Sequence, residues 1–365
     1  MALLSTSSAE VLRSYPAVWL RENCPCSHCR DPRSGQKLGN IADLPADLSG
    51  ELVDESPDTV TIRFSPDGHV STFNRSWLVE QLEPQQGDGR TEADKRRWTA
   101  ADLAGRLPGA EWSIYTTDPV VKLRVLEDVA RLGFAILRGT PTDGGTVLEI
   151  ARSFGYVRET NYGTLFDVRT EVDATNLAFT GLAIAPHTDN PYRDPVPTLQ
   201  LLHCLSNALD GGESGLVDGF EAAATLREED EHAFRRLSAT LVPFAWSDGL
   251  AILRAERPII GLDPSGRIRE VRINNRSMQA VRLPRLELEG FYRAYRHFVE
   301  IVSRPELQVT FRLQPGDCVV FDNVRVLHAR TAFSDSETGR RHLQGCYADM
   351  DGLLSTVACL REVTR

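Results

Sequence analysis

The chain has 365 residues, 41% hydrophobic and 25% charged, with a formal net charge of −10. That length leaves room for a full catalytic domain beside a smaller module, and the composition is that of an ordinary globular protein. The acidic balance excludes the basic footprint of a nucleic-acid binder; no run of about 20 apolar residues offers a membrane span.

Residues 1–9 lack the basic start and apolar core of a secretory leader. Three of the seven cysteines crowd into residues 24–29 and the rest scatter. A disulfide framework is therefore not expected, and a reducing, cytoplasmic location is.

In chain order, Asn23-Cys24-Pro25-Cys26-Ser27-His28-Cys29 comes first. Its three thiols are too close to pair off with one another, yet they suit three corners of a tetrahedral zinc site. The fourth ligand is another Cys, His28 or a more distant His. Residues 60–64 alternate apolar and polar, Pro66-Asp67-Gly68 makes a turn, and His69 opens a return strand to Phe73, so a hairpin is expected. The polar run after Glu83 reads as a linker. This divides the chain into an N-terminal zinc-binding module (1–83), a linker (84–97) and a main domain (98–365).

Residues 120–132 have helical periodicity, and 133–137 follow as a buried strand. Residues 220–237 read as one exposed, acid-rich helix, and 290–302 as an amphipathic one. Short strands dominate elsewhere, including 309–313 and 318–321 around a Gln314-Pro315-Gly316-Asp317 turn. The expected fold is mostly β with flanking helices, a double-sheet jelly roll (double-stranded β-helix).

His187, Asp189 and His328 carry the chemistry. His187 and Asp189 are one residue apart, so an extended backbone directs both side chains to the same side. His328 arrives from a distant strand. Two imidazoles and one carboxylate can hold one face of Fe(II) and leave three positions for a chelating co-substrate and oxygen. Arg341, thirteen residues on, offers a planar two-donor fork to the far carboxylate of 2-oxoglutarate. Arg330 and Arg340 are competing cations, read as solvated surface residues, and Ser214 could add a hydroxyl.

Several segments then resemble a known family. They are Pro186-His187-Thr188-Asp189, Leu201-Leu202-His203-Cys204, Gly211-Gly212-Glu213-Ser214, Val217-Asp218-Gly219-Phe220, Phe321-Asp322-Asn323 with Leu327-His328, and Arg341 to Tyr347. Together they are similar to the γ-butyrobetaine dioxygenase family, which also includes trimethyllysine dioxygenase and 2-(trimethylammonio)ethylphosphonate dioxygenase. The resemblance covers nearly the whole chain. It implies Fe(II) held by His187, Asp189 and His328, 2-oxoglutarate anchored by Arg341, and a structural zinc on Cys24, Cys26, Cys29 and His69. It also implies a homodimer. His203 lies in a matched segment but is not a family ligand, which leaves it a core or neighbouring histidine.

A trimethylammonium group donates no hydrogen bonds and is best held by aromatic faces. The family's cage positions fall on Tyr162, Phe166, Phe179 and Tyr347, all aromatic. Asn176, Asn190, Asn275 and Arg276 match the region around the substrate's anionic end. Arg276 and Asn190 depart from γ-butyrobetaine enzymes, and a further cation with amide donors would suit a dianionic phosphonate; Arg276 pointing outward is the other reading. The expected activity is hydroxylation of a methylene C–H in a small γ-butyrobetaine-like acid, with release of succinate and CO2. Its phosphonate analogue and then trimethyllysine are the alternative substrates, and a cupin-like binding protein the alternative without catalysis.

Overall fold

The computed structural model describes residues 14–82, 94–169, 180–207, 211–333 and 341–364. The chain forms two compact units, Met1–Gln86 and Gly87–Arg365. In the smaller unit, β1 (Ser49–Glu55), β2 (Thr59–Ser65) and β3 (Val70–Asn74) make one antiparallel sheet in that order. Alternation along β2 buries Val60, Ile62 and Phe64, which pack with Phe73, Leu20 and Leu78 into a small core. The expected hairpin is thus observed, with its return strand starting one residue later than the sequence suggested.

The larger unit opens with β4 (Gly109–Glu111), β5 (Phe134–Arg138), β6 (Val157–Arg158), β7 (Phe166–Arg169), β8 (Ile184–His187), β9 (Leu199–Ser206) and β10 (Ser214–Asp218). Two hairpins follow, β11 (Val242–Ser247) with β12 (Ile252–Arg257) and β13 (Ile260–Leu262) with β14 (Ile268–Val271). Last come β15 (Gln308–Phe311), β16 (Cys318–Asp322), β17 (Val326–Arg330) and β18 (His342–Ala348). Among the described residues these form two principal sheets. The larger runs β4-β5-β16-β9-β18-β6, with β7 also on β18; the smaller runs β15-β10-β17-β8. Apart from the parallel β4–β5 pair, the ladders are antiparallel. This is the expected jelly roll.

The helix Pro119–Leu132 shows why its segment folds as it does. The Asp118 carboxylate accepts from the Val120 and Val121 amides, and Pro119 supplies a ready φ in the first turn. Gly133 stops it at φ 88°, where a Cβ would stand 2.7 Å from Val326 on β17. Residues 220–237 differ from expectation. They form two helices, Gly219–Glu229 and Glu231–Ala239, because Asp230 leaves helical geometry to cap the second through the Ala233 amide. Nor are they merely exposed, since Phe220, Ala223, Leu226, Phe234 and Leu237 are core residues. Lys95, within the segment read as linker, is buried and pairs with Asp322 at 3.0 Å. No helix among the described residues is long and apolar enough to cross a membrane.

Candidate active site and metal knot

His187 closes β8 and His328 lies in β17, where antiparallel pairing makes them register partners with ring centres 4.0 Å apart. Asp189 Oδ1 is 3.5 Å from His187 Nε2, and its Oδ2 is 3.8 Å from His328 Nε2. Donor atoms of the three residues lie within 4.8 Å of one another. His187 Nδ1 stands 2.9 Å from the Ala185 carbonyl. A carbonyl only accepts, so Nδ1 donates to it and Nε2 is the nitrogen that faces Asp189.

Burial pushes the His328 imidazole down to about 3, with His187 adding to the effect, so it is neutral near pH 7. Burial opposes ionisation of Asp189, but the His187 hydrogen bond, the two imidazoles and Arg276 outweigh it. They hold its carboxyl well below the usual range. Converging imidazole nitrogens and one anionic oxygen are the donor set of a two-His, one-carboxylate iron site, and the residues present fit Fe(II).

Asp189 is held from several directions. Asn323, fully buried between β16 and β17, accepts from the Asp189 amide at 2.8 Å and donates to its carbonyl at 2.9 Å. Gln200 Nε2 at 2.9 Å and the Tyr347 hydroxyl at 3.1 Å both donate to Asp189 Oδ2. Burial and Asp189 push Tyr347 well above its ordinary value, which keeps it a donor. Sequence reading missed Gln200. The only signal was its place on the inward phase of β9, immediately before a recognised segment.

The triad lies in a cavity of about 970 Å³ counted out to its open mouth. Arg341 and Ser214 line it, and so does Arg276, which therefore turns inward. Asn274 shapes that loop, donating to the Thr188 carbonyl and accepting from the Arg276 amide. Asn190 is 2% exposed with φ 57°, and neither polar atom of its side chain has a hydrogen-bond partner among the described residues. It lines the cavity too. Asn275 is exposed and stands outside the cavity lining. Asn176 and Phe179 lie outside the described residues.

Tyr162, Phe166 and Tyr347 form one aromatic wall, with ring centres 6.1 Å apart for the first two and 5.1 Å for the last two. Two rings beyond those expected continue it. Tyr192 meets the Tyr162 hydroxyl at 3.0 Å, and Trp246 packs against both tyrosines. The reading of Arg330 as a solvated surface residue is overturned. It is 8% exposed, lines the cavity and donates to the carbonyls of Thr180 and Leu182. His203 is a core residue, fully buried 2.8 Å from Thr140 Oγ1, and burial pushes it down to about 4.

In the smaller unit, Cys24, Cys26, Cys29 and His69 cluster, while His28 is exposed. His69 Nε2 lies 3.2, 3.7 and 3.6 Å from the three Sγ atoms in turn. A tetrahedral zinc with ordinary Zn–S and Zn–N bonds sets such pairs roughly 3.6 Å apart. The cluster therefore fits a structural zinc. Arg21 donates to both Cys29 Sγ and Asp67, placing a cation beside the thiolates.

Comparison with known proteins agrees with this geometry. Residues 101–347 match the family described as taurine catabolism dioxygenase TauD, TfdA family, and residues 7–79 match the gamma-butyrobetaine hydroxylase-like N-terminal family. The gamma-butyrobetaine dioxygenase of Pseudomonas sp. (strain AK-1) is 37% identical over 94% of this chain and 90% of that protein. The Homo sapiens gamma-butyrobetaine dioxygenase is 31% identical over 95% and 91%. The trimethyllysine dioxygenase of Meyerozyma guilliermondii is 31% identical over 95% and 90%. A solved asparagine oxygenase complex with Fe(II), 2S,3S-3-hydroxyasparagine and succinate shares the fold at TM-score 0.51 and 19% identity, over 65% of this chain and 82% of that one.

Two sheets enclosing a His/Asp/His triad and an inward arginine define a dioxygenase of the TauD/TfdA class. Within that class, the chain belongs to the γ-butyrobetaine dioxygenase family.

Proposed function

We propose that the chain is an Fe(II)- and 2-oxoglutarate-dependent hydroxylase of a small trimethylammonium-bearing acid, γ-butyrobetaine-like. One observation carries the reading: a two-His, one-carboxylate cluster shares a cavity with an aromatic wall and inward arginines. His187, Asp189 and His328 hold the iron, and Arg341 with Ser214 binds the far carboxylate of 2-oxoglutarate. Tyr162, Phe166, Phe179 and Tyr347 hold the ammonium; Asn176, Asn190 and Arg276 take the anionic end, a role the exposed Asn275 is not placed to share. Cys24, Cys26, Cys29 and His69 hold a structural zinc.

Iron bound there supplies oxygen activation coupled to oxidative decarboxylation of the co-substrate, giving succinate, CO2 and a hydroxylated methylene. The chain's own part is placement. The aromatic faces grip one end of the substrate and the Asn190/Arg276 side the other, so that a carbon between them is held beside the triad. The neutral His328 imidazole and the ionised Asp189 are already in the protonation states that ligation needs.

Relatives at 37% and 31% identity are gamma-butyrobetaine dioxygenases, which supports γ-butyrobetaine over the alternative substrates, 2-(trimethylammonio)ethylphosphonate and trimethyllysine. Incubating iron-loaded protein with γ-butyrobetaine, this phosphonate and trimethyllysine, and measuring substrate-dependent succinate, separates the three. Succinate formation with none of them would reject the reading. We further infer a zinc-binding domain within residues 1–83 and a dioxygenase domain over 98–365. A reducing, cytoplasmic setting is supported by seven unpaired cysteines, and a homodimer by the resemblance.

A further inference from the structure

Asp189 is anchored more fully than its role as a donor alone requires. Asn323 takes both its backbone groups, so the main chain cannot turn. What remains is rotation of the carboxylate about χ2, a soft, roughly twofold torsion that packing alone does not fix. That rotation decides which oxygen faces which imidazole, Oδ1 standing by His187 and Oδ2 by His328. Gln200 and Tyr347 are register partners on the adjacent strands β9 and β18, 2% and 3% exposed, and both donate to the same oxygen, Oδ2. Both donors are neutral. They fix direction without placing a positive charge on the ligand, as an Arg or Lys would.

We propose that Tyr347, with Gln200, is a positioning residue that sets the rotation of the Asp189 carboxylate and ties it to the aromatic wall. The tie follows from one side chain doing two jobs. The Tyr347 ring stands 5.1 Å from Phe166 in the wall, while its hydroxyl is on Asp189 Oδ2. Whatever presses on the ring presses on the carboxylate's hydrogen bond. Coupling of this kind is reciprocal: an occupant of the wall that favours metal binding must itself bind more tightly to metal-loaded protein, by the same factor. This rests on the reading of the triad as a metal site and of the wall as an ammonium cage.

Mn(II) is a suitable probe, because imidazole and carboxylate donors suit it while thiolates do not. The full chain, with zinc left in the knot, is titrated with Mn(II) by electron paramagnetic resonance, with and without γ-butyrobetaine. Tyr347→Phe and Gln200→Leu are each expected to weaken Mn(II) binding about 10–100-fold, the usual cost of removing a hydrogen bond to a metal ligand. Tyr347→Phe keeps the ring, so γ-butyrobetaine affinity of the metal-free protein should change little, yet the mutual enhancement should vanish. Tyr347→Leu should lose both. Should Tyr347→Phe lose its near-ultraviolet circular dichroism, Gln200→Leu carries the metal-affinity test alone. Unchanged Mn(II) affinity in the folded variants overturns the proposal. Wild-type Mn(II) binding that survives Asp189→Ala undiminished overturns the metal-site reading and the proposal with it. Wild type that takes Mn(II) but not γ-butyrobetaine overturns the cage reading and the coupling.

Discussion

Gly345→Ala probes the aromatic wall through a residue that never touches substrate. Gly345 and Phe166 are register partners across β18 and β7, so the phenyl ring lies over the glycine. A methyl group there would stand 2.4 Å from Phe166 Cζ, 2.5 Å from Cε2 and 3.2 Å from the Leu201 carbonyl oxygen. Non-bonded carbons settle about 3.5–4.0 Å apart, so the ring must retreat by about 1–1.5 Å. Leu201 is fixed in the β9 ladder, which leaves the ring to move off the sheet and into the cavity. Losing one well-placed ring costs about 0.5–2 kcal/mol of cation binding, or about a 2- to 30-fold rise in Michaelis constant. The assay is succinate formation with γ-butyrobetaine and with its dimethylamino analogue, varying 2-oxoglutarate separately. The trimethyl substrate should suffer more than the smaller one, and the constant for 2-oxoglutarate should hold. Equal shifts for both substrates and the co-substrate, in a variant that melts like wild type, would refute the geometric reasoning.

His187→Ala and Asp189→Ala should each abolish substrate-dependent succinate formation; turnover surviving either change rejects its place in the metal site. Phe166→Ala should raise the Michaelis constant for substrate far more than that for 2-oxoglutarate, and parallel increases would count against the cage. Asp218→Asn leaves the Arg325 guanidinium buried without its charge partner, and urea denaturation should register a loss of about 3–5 kcal/mol. A loss smaller than about 1 kcal/mol would show that the backbone carbonyls of Arg96 and Arg131 suffice for Arg325. His203 makes the fold acid-sensitive. Its folded value is pushed down to about 4, so its share of stability is whole above the unfolded value near 6.5 and declines as pH falls towards the folded one. His203→Gln should flatten stability against pH in that window, and an unchanged slope would be evidence against the assignment.

The chemistry-bearing residues were legible because their spacing is their meaning. One intervening residue returns Asp189 to the side of His187, and three thiols within six positions leave little else for them to do. The hairpin of the smaller unit and the capped helix at Pro119 were legible for similar local reasons. The break at Asp230 was not, because an acidic residue amid helix formers looks like one more exposed position until its carboxylate is seen capping the following turn. Arg330 and Gln200 failed differently. Whether an arginine at the end of a ligand strand faces water depends on a carbonyl 150 positions away, and which residue of a buried strand meets Asp189, 11 positions back, depends on how that strand pairs with β16 and β18.

The pairing of β8 with β17 has a consequence for how the chain comes to its final state. His187 and His328 share one rung of that ladder. Were the two strands to join one step out of line, one imidazole would turn to the opposite face of the sheet. A molecule threaded wrongly at that rung would thus be both poorly packed and unable to take up iron. Loading with metal therefore discriminates among finished molecules, drawing the correctly assembled ones out of any mixture.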